Sequence, residues 1–106
     1  MGNEVVVLIT ASSADEAAKI GRALVEEHLV ACANIAGGVR SLFFWEGKTR
    51  DAQETILICK SRSVLLDRII DRVKQLHSYT VPEIIALPIV AGSKDYLDWV
   101  NETATG

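Results

Sequence analysis

Proline and cysteine are both scarce in this chain, two of each in 106 residues. With few prolines, long stretches are free to coil or pair without interruption. Cys32 and Cys59 sit in apolar runs rather than loops, which excludes a disulfide-built secreted scaffold and leaves two free thiols in a reducing, cytoplasmic setting as the expectation. A basic excess is missing too: the net charge is -3, which argues against a nucleic-acid partner bound through phosphate neutralisation. Arg62, Arg68, Arg72 and Lys74 lie among Asp67 and Asp71, the pattern of a solvated, ion-paired helix face. No apolar run approaches the ~18 residues of a membrane span, and Met1-Gly2-Asn3-Glu4 puts no basic region ahead of its short apolar segment. Neither a signal peptide nor a membrane partner is expected, and Val6 in place of Ser or Thr argues against a lipid on Gly2. Also missing are a Gly-rich phosphate loop, a metalloprotease motif and any Ser-His-Asp or Cys-His constellation at recognisable spacing, so the reading is of a protein that is not an enzyme.

What is present is a chain 49% hydrophobic and 24% charged, enough for a single domain spanning 1–106. Val5-Val6-Val7-Leu8-Ile9 is a continuous β-branched run, the mark of a central strand. Ser13-Ala14-Asp15-Glu16 is a capping box, and beyond it Ala17, Ile20, Gly21, Leu24 and His28 share a helix face. A second strand runs from near Val30 to Trp45, with Gly37-Gly38 allowing a bend or bulge. Glu46-Gly47-Lys48 turns it into a third strand that includes Thr55 to Cys59. Ser63 is read as the cap of a second helix ending near His77, Ile84 to Val90 as a fourth strand, and Ser93 as the start of a short C-terminal helix with Tyr96, Leu97, Trp99 and Val100.

The order βαββαβ predicts an α+β, ferredoxin-like antiparallel sheet with two helices on one face, a long β2-β3 hairpin and an appended C-terminal helix. Pro88, unable to donate to a ladder, places the fourth strand at an edge or a bulge. A hairpin arm of about 15 residues reaches ~50 Å, while a domain of this size is only ~33 Å across. The hairpin must bend or overhang, and its distal Leu42-Phe43-Phe44-Trp45 would leave a sticky edge. Burial against another subunit resolves this, and so does a hairpin folded back over its own sheet.

Chemistry gathers at His77-Ser78-Tyr79-Thr80-Val81-Pro82-Glu83, where an amphipathic helix hands over to a strand. Leu66, Ile69, Ile70 and Val73 make a helical stripe that includes His77, so its ring points coreward at the last turn. It reads either as a helix-end histidine favoured by the carbonyl end of the dipole or as a ligand-binding group. Cys32 and Cys59 read first as small buried hydrophobes. Glu83 borders an apolar run and needs a cation or donors, Lys60 being one possible partner, while Tyr79 and Trp45 are suited to lining the same cleft. That cluster is either an aromatic, ion-paired joint between subunits or a small-molecule pocket.

Ala31-Cys32-Ala33-Asn34-Ile35, Phe44-Trp45-Glu46-Gly47-Lys48 and His77 through Ile85, taken in one order, closely resemble the CutA divalent-cation-tolerance family. The likeness runs from the first strand to Trp99. It implies a compact homotrimer joined through its long strands, similar in architecture to the PII signalling proteins. It also implies binding of copper or another divalent cation, carried onto His77 and Cys32, ligand types that suit copper. The chain departs from some members at Ile9 and Leu76, where a cysteine and a second histidine stand, so two potential ligands are missing. The same resemblance admits an alternative, a PII-like signalling module with an anionic ligand at the subunit interface contacted by Lys60 or Lys48, and an unidentified protein partner downstream.

Overall fold

β-branched residues crowd the first strand, and in the computed structural model, which describes residues 3–106, that strand lies inside a four-stranded antiparallel sheet of order β2-β3-β1-β4. The elements run β1 (Glu4–Ala11), α1 (Ala14–Glu26), β2 (Cys32–Trp45), β3 (Lys48–Arg62), α2 (Leu66–Leu76), β4 (Ile84–Pro88) and α3 (Lys94–Thr103). The expected ferredoxin-like order is therefore present, with the short β4 at the edge as Pro88 requires. The N-terminal Met1-Gly2 reading lies outside the described residues.

Strand alternation assigns the two faces. Val5, Val7 and Ile9 pair with Ser61, Cys59 and Leu57, and this side is sealed by Ile20 and Leu24 of α1 and Ile69 and Val73 of α2. Gly21 marks how closely α1 approaches: a Cβ there would stand 3.0 Å from Leu57 Cδ2 and 3.4 Å from Ala33 Cβ. The opposite face carries Val6, Leu8, Ile56, Ile58, Ile85 and Leu87. There α3 covers only the end near Glu4 and Arg62: Asn101 Nδ2 donates to Glu4 Oε2, Arg62 Nε to Ala104 O at 2.8 Å, and Tyr96 Oη meets Cys32 Sγ at 3.4 Å. Ile85 and Leu87 are left about half exposed.

The long hairpin both bulges and overhangs. β1 stops pairing with β3 at Thr55, so Lys48–Glu54 pairs with β2 alone and forms a two-stranded ribbon. The register slips between Ala36 and Val39, where Gly38 takes φ of 73°, and the molecule measures 44 Å along its longest axis.

Four expectations are corrected. Ser63 does not cap α2; it opens a single 3-10 turn, Ser63–Leu65, with no side-chain cap, that feeds directly into the helix. His28 is off the α1 stripe, exposed at φ of 59° where the helix has already ended. β2 begins at Cys32, because Val30 and Ala31 are spent turning the chain, with Ala31 N–H donating to Lys60 O. β4 ends at Pro88, after which only Ile89 N–H reaches across, to Glu4 O.

Candidate functional site

Because α2 ends at Leu76, His77 is the residue that leaves the helix, and its side chain is fully buried. Its Nε2 lies 2.7 Å from Thr10 O, and its Nδ1 accepts the Tyr79 N–H at 3.0 Å. A carbonyl accepts and an amide donates, so the ring is the Nε2–H tautomer with both nitrogens in use. The ring packs coreward at the helix end, but as the neutral tautomer rather than the charged form that the dipole favours, and a metal ion would have to displace one of these bonds.

Glu16 completes the arrangement. The capping box is only half as expected: Ser13 Oγ accepts from Glu16 N–H at 3.1 Å, but the Glu16 carboxylate passes Ser13 and takes Ser12 N–H and Ser12 Oγ, both at 2.9 Å. Its other oxygen accepts Ser78 N–H at 2.8 Å, and the first lies 3.9 Å from His77 Nδ1. Burial pushes this carboxyl up, yet the hydrogen bonds from Ser12 and Ser78 outweigh it and hold the group down at about 2. The start of α1 is thus tied to the end of α2.

Tyr79 faces the other way. Its hydroxyl donates to Glu54 Oε2 at 2.7 Å, its ring lies 4.7 Å from that of His77, and burial followed by the Glu54 bond pushes the phenol up to about 12. Together Tyr79, Trp45, Glu54 and Glu83 line a cleft of about 840 Å³ between the ribbon and the approach to β4. Strand parity accounts for three of the β2 residues that reach it, while Leu42 borders it from the other parity. The bulge adds one residue to β2, so Ser41, Phe43 and Trp45 fall on the Glu54 side of the sheet; an unbroken alternation from Cys32 would have placed Leu42 and Phe44 there.

The sequence-predicted residues divide into three places. Trp45, Tyr79 and Glu83 meet at the cleft as expected. Lys60 does not join them: it bonds the Asn34 side chain and stands opposite Val6 in β1, whereas Glu83 precedes Ile84, opposite Ile9. Glu83 is also exposed, so the desolvation that called for a Lys60 partner is absent. Cys32 shares the Lys60–Val6 end of the sheet and His77 the Thr10 end, roughly 13 Å along β1 at ~3.3 Å per residue. The two cannot ligate one ion within a subunit. Among the described residues no three His, Cys, Asp or Glu side chains cluster as a metal site.

Two acids carry more of the architecture than the sequence assigned them. The sequence marks Glu16 only as a helix cap. For Glu54 the sequence offers one signal, a carboxylate directly ahead of the apolar Thr55–Cys59 run. At Cys59 burial pushes the thiol up to about 12, with the nearby Cys32 adding to it, while Cys32 stays partly accessible beside Tyr96.

Comparison with known proteins gives a consistent answer. The sequence model for "CutA1 divalent ion tolerance protein" matches residues 5–103. The divalent-cation tolerance protein CutA of Thermus thermophilus is 48% identical over 99 residues, covering 93% of this chain and 96% of that one. Its Archaeoglobus fulgidus counterpart is 46% identical over 97 residues, covering 92% and 94%. In structure, the Thermus thermophilus protein superposes with a TM-score of 0.92 over 94% of this chain and 97% of its own, at 48% identity. CutA from Xylella fastidiosa does so with 0.94 at 33% identity, over 97% and 99%. The chain belongs to the CutA1 divalent ion tolerance family.

Proposed function

We propose that this chain works as a non-enzymatic homotrimer in a reducing, cytoplasmic setting, contributing to tolerance of copper or another divalent cation. The observation that carries the assembly is the uncovered sheet face. An antiparallel sheet open to water normally alternates apolar-in and polar-out, yet here Val6, Leu8, Ile56, Ile58, Ile85 and Leu87 form an apolar surface that α3 covers only at one end. On the ribbon's other face Leu42 and Phe44 are 66% and 72% exposed, and among the described residues the outer edge of β2 has no partner strand. Association of copies buries all three.

Metal binding in this reading belongs to the assembly, since the described residues of one subunit do not compose a site. Cys32 is the better candidate of the two: its thiol is partly accessible and suits the reduced copper ion, while both nitrogens of His77 are engaged. The test is the solution mass of tag-free protein by light scattering, followed by calorimetric titration with Cu(I) and Cu(II). A trimer mass with stoichiometric uptake that weakens in Cys32→Ser more than in His77→Ala is expected. A monomer at micromolar concentration removes the assembly reading, and uptake unchanged in Cys32→Ser removes that ligand.

The PII-like alternative gains the cleft but loses its anion. Lys60 lies outside it, bonded to Asn34, and Lys48 is not among the lining residues.

A further inference from the structure

We propose that the ribbon is a hinged arm, pivoting at Gly37-Gly38, and that the hydrogen bond from the Tyr79 hydroxyl to Glu54 is the latch that sets its angle to the sheet.

The pivot falls at one level on both strands. Thr55, opposite Ala11, is the last residue of β3 that pairs with β1 before the ribbon, so Glu54 is the first to lack that support. Across the ladder from Thr55 stand the two glycines of the bulge: Ala36 pairs with Ile56 and Val39 with Glu54, which leaves Gly37 and Gly38 between them. A bulge disrupts the ladder locally and bends its strand. Chain neighbours aside, no atom lies within 4 Å of where a Cβ of either glycine would stand, so packing does not restrain the backbone there.

Beyond the pivot the ribbon bonds to itself. Its backbone ladder runs between β2 and β3 alone, Arg40 holds Asp51 at 2.9 and 2.6 Å, and Arg50 donates to Trp45 O and Glu46 Oε1, both at 3.3 Å. Among the described residues, the 2.7 Å bond from Tyr79 Oη to Glu54 Oε2 is the one side-chain hydrogen bond that joins residues 39–54 to the rest of the subunit. The cleft of about 840 Å³ lies between the remaining ribbon and the handover from α2 to β4, which leaves the arm room to move. Tyr79 itself is braced from the core: His77 Nδ1 accepts its N–H at 3.0 Å, and Glu16 accepts that of Ser78 at 2.8 Å. The latch therefore joins a fixed phenol to an arm with no other tie of that kind. Held at one angle, the arm presents Leu42 and Phe44 in a single pose, which lowers the ordering cost of association with another copy. That consequence rests on the assembly reading, whereas the latch lies within one chain.

Distances between spin labels on the exposed sites Thr49→Cys of the ribbon and Lys74→Cys of α2 test this. Full-length Cys32→Ser protein carries the labels and is refolded with excess unlabelled chain, so that each distance is read within one chain. With Tyr79 in place a single narrow distance is expected. Tyr79→Phe keeps the ring and removes the donor, and the share of chains outside that peak should rise about tenfold, the population equivalent of one charge-assisted bond. Glu54→Gln keeps a neutral acceptor and should give an intermediate share. The control pair Lys19→Cys with Lys74→Cys, across α1 and α2, should stay narrow in every variant. A distribution unchanged in both Tyr79→Phe and Glu54→Gln overturns the latch, and so does equal broadening of the control pair, which marks general loosening. The solution mass of the same samples reads the assembly separately: a monomer removes the assembly reading, while the distances alone decide the latch.

Discussion

Replacing Glu16 with glutamine tests whether the tie between the two helix ends stabilises the fold. The carboxylate accepts three hydrogen bonds, from Ser12 N–H, Ser12 Oγ and Ser78 N–H, and its side chain is 12% exposed. Bonds to a charged acceptor contribute about 1.5–3 kcal/mol each, but the glutamine carbonyl keeps one or two of them in neutral form, which leaves a loss of about 2 kcal/mol. Proton linkage gives a second route: a carboxyl lowered from 4.5 to about 2 carries at most about 3 kcal/mol at ~1.4 kcal/mol per unit. The folded-state value is depressed, so the stabilisation is fully present above pH 4.5 and is lost as pH falls through about 2. The parent-minus-variant difference should therefore be about 2 kcal/mol at neutral pH, or a Tm shift of roughly 10 °C, and should fall below half that near pH 3. Urea unfolding followed by circular dichroism, at one fixed protein concentration, measures both. A variant within about 0.5 kcal/mol of the parent at neutral pH, or a difference that does not shrink in acid, refutes the reasoning.

Gly21→Val should destabilise by about 2–3 kcal/mol, since even a Cβ stands 3.0 Å from Leu57 Cδ2 and a branched side chain forces α1 off the sheet; a Tm unchanged within a degree or two would show the contact to be soft. Tyr79→Phe strips the described donor from a buried carboxylate and should cost about 1–3 kcal/mol, read by the same urea titration, with no loss if water takes over the bond. The thiols should react with a disulfide reagent in two phases, Cys32 first and Cys59 only on unfolding, because burial pushes the Cys59 thiol up to about 12. Equal rates in the native protein would place Cys59 at the surface.

Sequence patterns reported the elements whose signals are local. β1 announces itself by an unbroken β-branched run, α1 by Ser13, and the coreward direction of His77 by the stripe of α2. What escaped depended on partners far along the chain. Nothing near His77 in sequence foretells that Thr10 O takes one of its nitrogens, nor that Glu16 reaches Ser78. Ser63 misled because serine is a common cap, while the chain here enters α2 through a 3-10 turn whose start is set by β3, with Ser63 N–H donating to Asn3 O. Gly37-Gly38 signalled that a bulge was available; that it shifts the aromatic run by one residue, and so brings Phe43 and Trp45 to the cleft, is a property of the formed ladder.

The handover from α2 to β4 is one piece of chain with two faces, and they are coupled through the backbone. His77 and Glu16 fix it from inside, and what they grip is main chain: the N–H of Tyr79 in one case and of Ser78 in the other. The same Tyr79 turns its ring outward and holds Glu54 at the wall of the cleft. Side-chain alternation alone would leave that tyrosine free to swing. Anchoring two consecutive amides, one to an imidazole and one to a carboxylate, removes that freedom and sets where the phenol meets Glu54. His77 thus shapes the cleft while standing outside its lining, as a positioning residue acting through Tyr79.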